Sequence, residues 1–579
     1  MEKTTIIYAG AGLVVAKYLC SLVSSGLKST LMHYKAKSKL KERNAKTLTV
    51  PEVEREKQEY ILSLQVFQLA EAIKSGKVTS VEATATYIRR AYDIGRKLKL
   101  TAEEPFEEAL LLAEQRDKQL TEDPSSCGVL HGVPISVKDH IGQVGCCSSA
   151  GVVWRCNIPD QCDALVLSLL KSEGAVPFVR SNVPQIMIWI ESANFIYGCA
   201  ENPWNRKVTT GGSSGGESGL IASRSSPLGI GSDIGGSIRF PAAFCGIYSF
   251  KPTPCRISQK GVHTANCWGK SFLHLGIESS LGPLGRCVED LNLFLKAVWK
   301  EEHWKQDPSV PPLVFNESLY ERTLESKKLR IGYFYDLEIF ESAPVIKKAL
   351  KECKQKLEEQ GHELVEFKVP DMFEALEIYL GMYNANGCRP LLDSLKGESP
   401  KEFYRLPIFV NSYPTLKSLV LKFLELTKNK AMHSFLKTKQ HLSSSEYIEL
   451  DRKLKNYAER FTNYWKDLEL DAVISPCYGT LAPPHGKAVD VMPGLAYCIL
   501  WNVVSYPSGI VPVALASAED AYYESSIKDI PSSKAKKVMQ ESAGLPVAIQ
   551  VSALPFKDEL LLGVMKKIEK IFHFYKLPL

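Results

Sequence analysis

The chain has no CxxC pair among its 15 cysteines, no HxH or HExxH pattern among its 11 histidines, and no GxxxxGK[ST] loop. Each gap removes a class of chemistry. Cysteines that are odd in number and scattered, with only Cys146 and Cys147 adjacent, argue against a disulfide framework or a zinc site and for reduced thiols in a cytosol-facing protein. His131 and His140 flank Lys138 without ligand spacing and read as ordinary structural residues, so no metal is expected. No lysine follows the glycine clusters, which excludes a phosphate cradle, and "GAG" at Gly10–Gly12 follows no strand and lacks a third glycine, which excludes a dinucleotide site. A net charge of +6 on 579 residues, with no basic motif, leaves no nucleic-acid partner to expect. There is no internal repeat, and no Pro/Gly/Ser linker divides the chain after residue 60.

What is present is the composition of a folded protein, 45% hydrophobic and 23% charged. One apolar run stands out, from Thr4 to Val23, close to the ~20 residues that cross a bilayer. Lys17 interrupts it, at a place from which a lysine snorkels to the interface. Behind it come Lys28, Lys35, Lys37, Lys39, Lys41, Arg43 and Lys46, which put the following body on the cytoplasmic side. The expected organisation is a membrane-anchor segment over 1–27, either spanning the bilayer or lying on it, a basic connector over 28–60 and one large domain over 61–579.

Within that domain, helical periodicity marks Leu62–Gly76, Ser80–Ile94 and Phe106–Leu120, then "VEDLNLFLKAV", "VIKKALKECKQKLEEQG" and a final helix from Asp558. Short apolar runs bounded by Gly and Pro mark strands: "GVPISVKD", "AVPFVRSNVP", "GIYSFKPT", "RIGYFY", "ELVEFKVP", "DAVISP", "SGIVPVAL" and "GLPVAIQVSALP". Such alternation predicts an α/β architecture around a large sheet. The PxxP stretch at Asp307–Phe315 reads as a surface loop.

The chemistry concentrates in "KVTTGGSSGGESGLIASRSSPLGIGSDIGGSIRFPAAFCG", Lys207 to Gly246. One reading takes Gly211–Gly215 as the G-x-S-x-G elbow of a hydrolase with Ser213 as nucleophile; it lacks an HGGG loop, and the late histidines His485 and His573 make poor partners. The other takes "DIGGS" as backbone whose N–H groups converge on one point, an oxyanion hole with the Ser237 hydroxyl beside it. Without a convincing histidine, its base is Lys138, presented at the end of a strand.

In order and spacing, "GVPISVKD", "GGSSGGE", "GSDIGGSIRFPA" and "GIYSFKPT" resemble the amidase signature family, and "SNVPQIM", "NPWN" and "LWNVVSYPSGIVPV" are similar to its animal fatty acid amide hydrolase branch. The resemblance implies a large mixed twisted β-sheet surrounded by helices, and a triad of Ser237 as nucleophile, Ser213 as bridge and Lys138 as base. It implies oxyanion N–H groups from Ile234, Gly235, Gly236 and Ser237, support from Ser214, a substrate contact through the main chain of Met187, and no metal or organic cofactor. Asp233 and Arg239 are expected to pair and brace the loop. The substrates implied are lipid amides, and possible partners are an intracellular membrane such as the endoplasmic reticulum and a second copy in a homodimer. "IWIESAN" departs from the branch's aromatic-containing segment and predicts a differently shaped acyl channel. Residues 414–439, with six lysines against one glutamate among Leu416, Leu419, Val420, Phe423, Leu424 and Leu426, fall where the branch has its membrane-binding cap. The competing expectations are an amidase of small soluble amides, including the amidase subunit of a tRNA-dependent amidotransferase, and a non-catalytic lipid-binding member.

Overall fold

The computed structural model describes residues 28–264, 276–387, 393–396, 398–401, 413–439 and 441–578. The expected anchor at 1–27 lies outside the described residues, among which no helix is long and apolar enough to cross a membrane.

The apolar runs form strands β1 (Pro134–Lys138), β2 (Val176–Ser181), β3 (Ala193–Asn194), β4 (Gly198–Cys199), β5 (Gly229–Asp233), β6 (Tyr248–Lys251), β7 (Ser280–Gly285), β8 (Arg330–Tyr333), β9 (Glu363–Glu366), β10 (Ala472–Ser475), β11 (Ser508–Leu515) and β12 (Pro546–Ala553). Ten of them make one mixed sheet in the order β2-β1-β5-β7-β6-β11-β12-β10-β8-β9, while β3 and β4 pair separately. β1 runs parallel to both β2 and β5. Antiparallel pairs carry the sheet from β5 to β10, and β8 and β9 continue it in parallel. Every residue of β1, β2 and β12 is buried, as parallel or central strands covered on both faces must be.

All eight strands expected from the sequence are present. The two-residue β3 and β4 are additional, as are β5 and β7 within the ten-stranded sheet, and the composition of β5 and β7 explains why periodicity misses them. "GIGSD" and "SLGPLG" carry glycines and a proline that normally argue against a strand. Here glycine is a steric requirement: a Cβ at Gly282 of β7 would lie 2.0 Å from the Phe250 carbonyl oxygen of β6.

The helices follow the predicted periodicity with local breaks. The first is two helices, Arg55–Ser63 and Val66–Lys74, because Leu64 is extended and Gln65 caps the second, whose Val66 N–H donates to the buried Asp290 carboxylate. Thr79 and Glu82 form a capping box that starts Ser80–Arg90, which ends in a π-turn over Ala91–Gly95. The stretch at 414–439 is also two helices, Pro414–Leu426 and Lys430–Lys437, separated where Lys428 turns to a φ of 57°. Residues 28–45, within the expected connector, are helical and docked on the body. Ala36 packs with Ala102, Cys156 and Tyr197, Lys39 pairs with Glu103 at 2.7 Å, and Arg43 donates to the Thr101 carbonyl at 2.8 Å. Elsewhere in the core, Phe461 and Trp465 meet Trp501 edge to face. The described cysteines are all free thiols.

The helix Gly215–Ala222 crosses β1 and β2 so closely that a Cβ at Gly216 would sit 2.4 Å from both the amide nitrogen and the carbonyl oxygen of Asn182. Alanine in place of a helical glycine ordinarily stabilises by up to about 1 kcal/mol. At this position Gly216→Ala is expected instead to destabilise by about 1–3 kcal/mol through overpacking. Thermal denaturation checks this, and a Tm equal to or above wild type contradicts it.

Candidate active site

β1 ends at Lys138, and because β5 runs parallel beside it, the chain after Ile230 reaches the same edge of the sheet. There the Lys138 Nζ, fully buried, lies 2.7 Å from Ser213 Oγ, 2.9 Å from Ser214 Oγ and 2.8 Å from Ser232 Oγ. No carboxylate is within hydrogen-bonding distance of it among the described residues. Burial in this setting pulls the amine down to about 7, against the opposing fields of Asp233 and Glu217. Glu217, also buried, is pushed up to about 7 by desolvation and accepts a hydrogen bond from Ser136. Desolvation thus draws both groups towards their neutral forms.

The hydroxyl directions around Lys138 follow from the outer partners. His140 Nδ1 faces the His263 carbonyl at 2.9 Å and must carry hydrogen, so its Nε2 accepts from Ser232 Oγ at 2.9 Å. Burial, and then Lys138, hold His140 well below the usual histidine range, in its neutral form. Ser214 donates to the Ser232 carbonyl at 3.4 Å. With both hydroxyls committed, Ser214 and Ser232, whose carbonyl also lies 3.3 Å from Nζ, accept the two N–H bonds of a neutral amine, and the nitrogen lone pair is left facing Ser213. A neutral Lys138 is thus aimed at one hydroxyl.

Ser213 follows a cis Gly212–Ser213 peptide bond, and the Ser214 N–H donates to the Ser237 carbonyl at 3.1 Å, which brings the two serine segments side by side. Ser237 is half-buried, and among the described residues its hydroxyl has no hydrogen-bond partner. The loop before it is held by Asp233, whose carboxylate takes Arg239 through two bonds at 2.9 and 3.0 Å, both side chains fully buried. Burial alone would raise Asp233, but the guanidinium holds it far below the usual carboxylate range, and Asp233 in turn raises Arg239. Arg239 also donates to Cys498 O, Gln550 Oε1 and Asn502 Oδ1, tying the loop to the helix Ala496–Val503 and to β12. The expected brace is therefore present.

One expectation needs correction. The Gly236 N–H donates to Asp233 Oδ1 at 2.8 Å, so it belongs to the brace and not to the oxyanion hole. Ile234, Gly235 and Ser237 keep N–H groups with no partner among the described residues. Gly236 is required for a different reason: its φ is 111°, and a Cβ there would lie 2.6 Å from Cys498 Cβ. Met187 sits in a turn with its φ at 59°, two residues before Trp189, whose carbonyl packs against Gly212.

Sequence reasoning missed Ser232, His140, Glu217 and Tyr379. The Tyr379 hydroxyl, from the helix Met372–Asn384, lies 2.4 Å from where a Cβ on Gly235 would be, so it hangs over the oxyanion loop. His140 was visible beside Lys138 but carried no recognisable spacing, because its partner Ser232 is 92 residues away.

The profile of the family described as Amidase matches residues 82–562. The chain is 35% identical to fatty-acid amide hydrolase 1 of Sus scrofa over 89% of its own length and 86% of that protein. It is 28% identical to an acetamidase of Emericella nidulans, over 87% and 88% of the two chains. A solved structure of fatty acid amide hydrolase superposes with a TM-score of 0.78 at 25% identity, covering 95% of this chain and 96% of that one.

One outcome follows from the buried amine and one from the ion pair. The amine's folded pKa is lowered from 10.5 to about 7, so wild type carries the full cost of a desolvated charge below pH 7 and loses that cost as the pH rises from 7 towards 10.5. Lys138→Met is accordingly expected to be more stable than wild type at pH 5–6, with the gap closing at alkaline pH, as read by denaturant titration across pH. A gap that is independent of pH contradicts it. Removing the brace acts the other way. Arg239→Ala strands a buried Asp233 and is expected to cost about 3–5 kcal/mol, measured in the same titration.

Proposed function

The chain belongs to the amidase family, and we propose that it is a membrane-associated serine hydrolase that cleaves fatty acid amides to a free fatty acid and an amine. The observation that carries the chemistry is the buried, carboxylate-free Lys138 hydrogen-bonded to Ser213.

In this reading Ser237 is the nucleophile. Lys138 takes the Ser213 proton as Ser213 takes the Ser237 proton, and the Ser237 oxygen attacks the amide carbonyl. Negative charge forms on the carbonyl oxygen and is met by the N–H groups of Ile234, Gly235 and Ser237, each worth about 3 kcal/mol in such sites. The proton then returns through Ser213 to the leaving nitrogen, Lys138 reprotonating Ser213, so the nitrogen departs as a neutral amine. Water adds to the acyl-enzyme, giving its proton to the same relay, and Ser237 leaves as a hydroxyl. Ser232 and His140 direct the Lys138 lone pair.

The fatty-amide assignment is supported by the 35% likeness to the porcine hydrolase and by one surface. On the helix Pro414–Leu426, Leu419, Phe423 and Leu426 are 67, 55 and 74% exposed, and Ile448 on the helix Ser444–Asp467 is 67% exposed. These apolar side chains, set among lysines, suit an anionic membrane surface from which a lipid amide enters the site. An anchor at 1–27 belongs to the same reading. The likeness to an acetamidase supports the alternative of a small soluble amide.

The test is fluorophosphonate labelling of detergent-solubilised protein with peptide mapping, alongside oleamide and acetamide turnover. Label is expected on Ser237 and absent in Ser237→Ala, and Ser213→Ala and Lys138→Ala are expected to lower turnover roughly 10²–10⁴-fold. Oleamide kcat/KM is expected to rise with pH through about 7 and then level. Label on Ser213 contradicts the relay, and preference for acetamide contradicts the substrate class. Leu419→Glu with Phe423→Glu is expected to weaken flotation with anionic liposomes while leaving turnover of detergent-dispersed oleamide intact; unchanged flotation contradicts the membrane face.

A further inference from the structure

Away from the serines, three side chains from separate stretches of sequence turn to one point. They are Glu191, Cys199 of β4, and His485 in the turn after Pro484. His485 Nδ1 lies 3.1 Å from Glu191 Oε2 and 3.4 Å from Cys199 Sγ, and all three donor atoms lie within 4.8 Å of one another. The other ring nitrogen settles the tautomer. His485 Nε2 is 3.2 Å from the Arg206 carbonyl, which only accepts, so Nε2 carries the hydrogen. That leaves the Nδ1 lone pair facing a carboxylate oxygen and a thiol sulfur, three ligand-type atoms around one point with only the Cys199 proton among them. No lysine or arginine among the described residues pairs with Glu191; Lys99 and Arg206 nearby are both taken by Glu201. A metal ion that displaced the Cys199 proton would bind all three atoms at once.

The spacing suits a metal ion. For tetrahedral zinc, bonds of about 2.3 Å to sulfur and about 2.0–2.2 Å to nitrogen and oxygen give S···N edges of about 3.5 Å and N···O edges of about 3.4 Å. The gaps of 3.4 and 3.1 Å already stand near those lengths. The outer contacts are also those of a metal site. A histidine ligand commonly donates its second N–H to a carbonyl, as His485 does to Arg206, and a carboxylate ligand is itself hydrogen-bonded, as Glu191 is by the Gly486 N–H at 3.2 Å. Glu191 is buried while Cys199 and His485 are half-buried, so one side of the cluster opens to solvent for entry and for a fourth, water ligand.

We propose that Glu191, Cys199 and His485 bind a divalent cation of zinc-like character, with water as the fourth ligand. Binding exchanges the Cys199 proton for the metal: the thiol becomes a metal-bound thiolate and one proton leaves to solvent. Because the thiol must give up its proton to bind, affinity rises with pH. The ion takes no part in amide hydrolysis. It clasps β4 and the 484–486 turn to Glu191, whose neighbour Ser192 accepts the Gly215 N–H and donates to the Gly211 carbonyl, both at 3.1 Å. The clasp therefore backs the segment that carries Ser213.

The test uses the full chain, stripped with a chelator and titrated with Zn²⁺, and with Co²⁺ as a chromophore. One equivalent is expected to bind, with a thiolate charge-transfer band and the strong visible bands of four-coordinate cobalt, and Zn²⁺ is expected to raise Tm. Cys199→Ser is expected to lose the charge-transfer band, and Cys199→Ser and His485→Gln each to weaken Zn²⁺ at least tenfold and to abolish its effect on Tm. The metal-free Tm of both variants should match that of metal-free wild type, separating ligand loss from misfolding; if one variant fails to fold, the other decides. No stoichiometric binding by wild type, or a cobalt spectrum unchanged in Cys199→Ser, overturns the proposal.

Discussion

The whole site turns on an amine placed in the interior without a counter-ion. Lys138 is fully buried at the end of β1, and its nitrogen meets serine oxygens instead of a carboxylate. A charged ammonium there would lose most of its hydration for hydrogen bonds to neutral oxygens alone, a poor exchange. The neutral form is what the surroundings favour, and a neutral amine with a directed lone pair is a base. The two nearby acids are kept from answering it as partners. Asp233 is committed to Arg239, and Glu217, desolvated and bonded to Ser136, is drawn towards its own neutral form.

A base of this kind is useful only if the oxygens around it hold still, and the structure secures them from both sides. On one side, the chain His263 carbonyl, His140, Ser232 sets which hydroxyl donates and which accepts. On the other, the Asp233–Arg239 pair fixes the glycine loop to β12 and to the helix Ala496–Val503, and it occupies the Gly236 N–H. A buried ion pair contributes little net stability over an apolar substitute, yet breaking one is costly. Here it defines the path of a loop whose Ile234, Gly235 and Ser237 N–H groups have no partner among the described residues.

Much of this was legible in the sequence, for reasons that also explain the rest. β1, β2, β11 and β12 are dense apolar runs bounded by glycine and proline, so pattern alone finds them, and Lys138, Ser213 and Ser237 stand out because glycine crowds around them. β5 and β7 were hidden because close strand packing demands the very residues that usually mark turns. The role of His140 depends on β5 lying beside β1, a long-range fact with no local trace. The Glu191, Cys199 and His485 cluster is hidden for the same reason, its sulfur and imidazole being 286 residues apart. The extra oxyanion donor assigned to Gly236 failed because nothing in "DIGGS" tells which N–H a neighbouring aspartate will claim.

The family sets the reaction class, and the proposed mechanism stands on the buried amine. The most direct measurement is therefore of that amine itself: ¹⁵Nζ-lysine NMR of the resting protein through a pH titration, with the Lys138 resonance assigned by its loss in Lys138→Met. A resonance titrating near pH 7, with neutral-amine character above it, is what the structure predicts. A Lys138 that stays an ammonium up to about pH 10, as in a solvated lysine, contradicts the account at its centre.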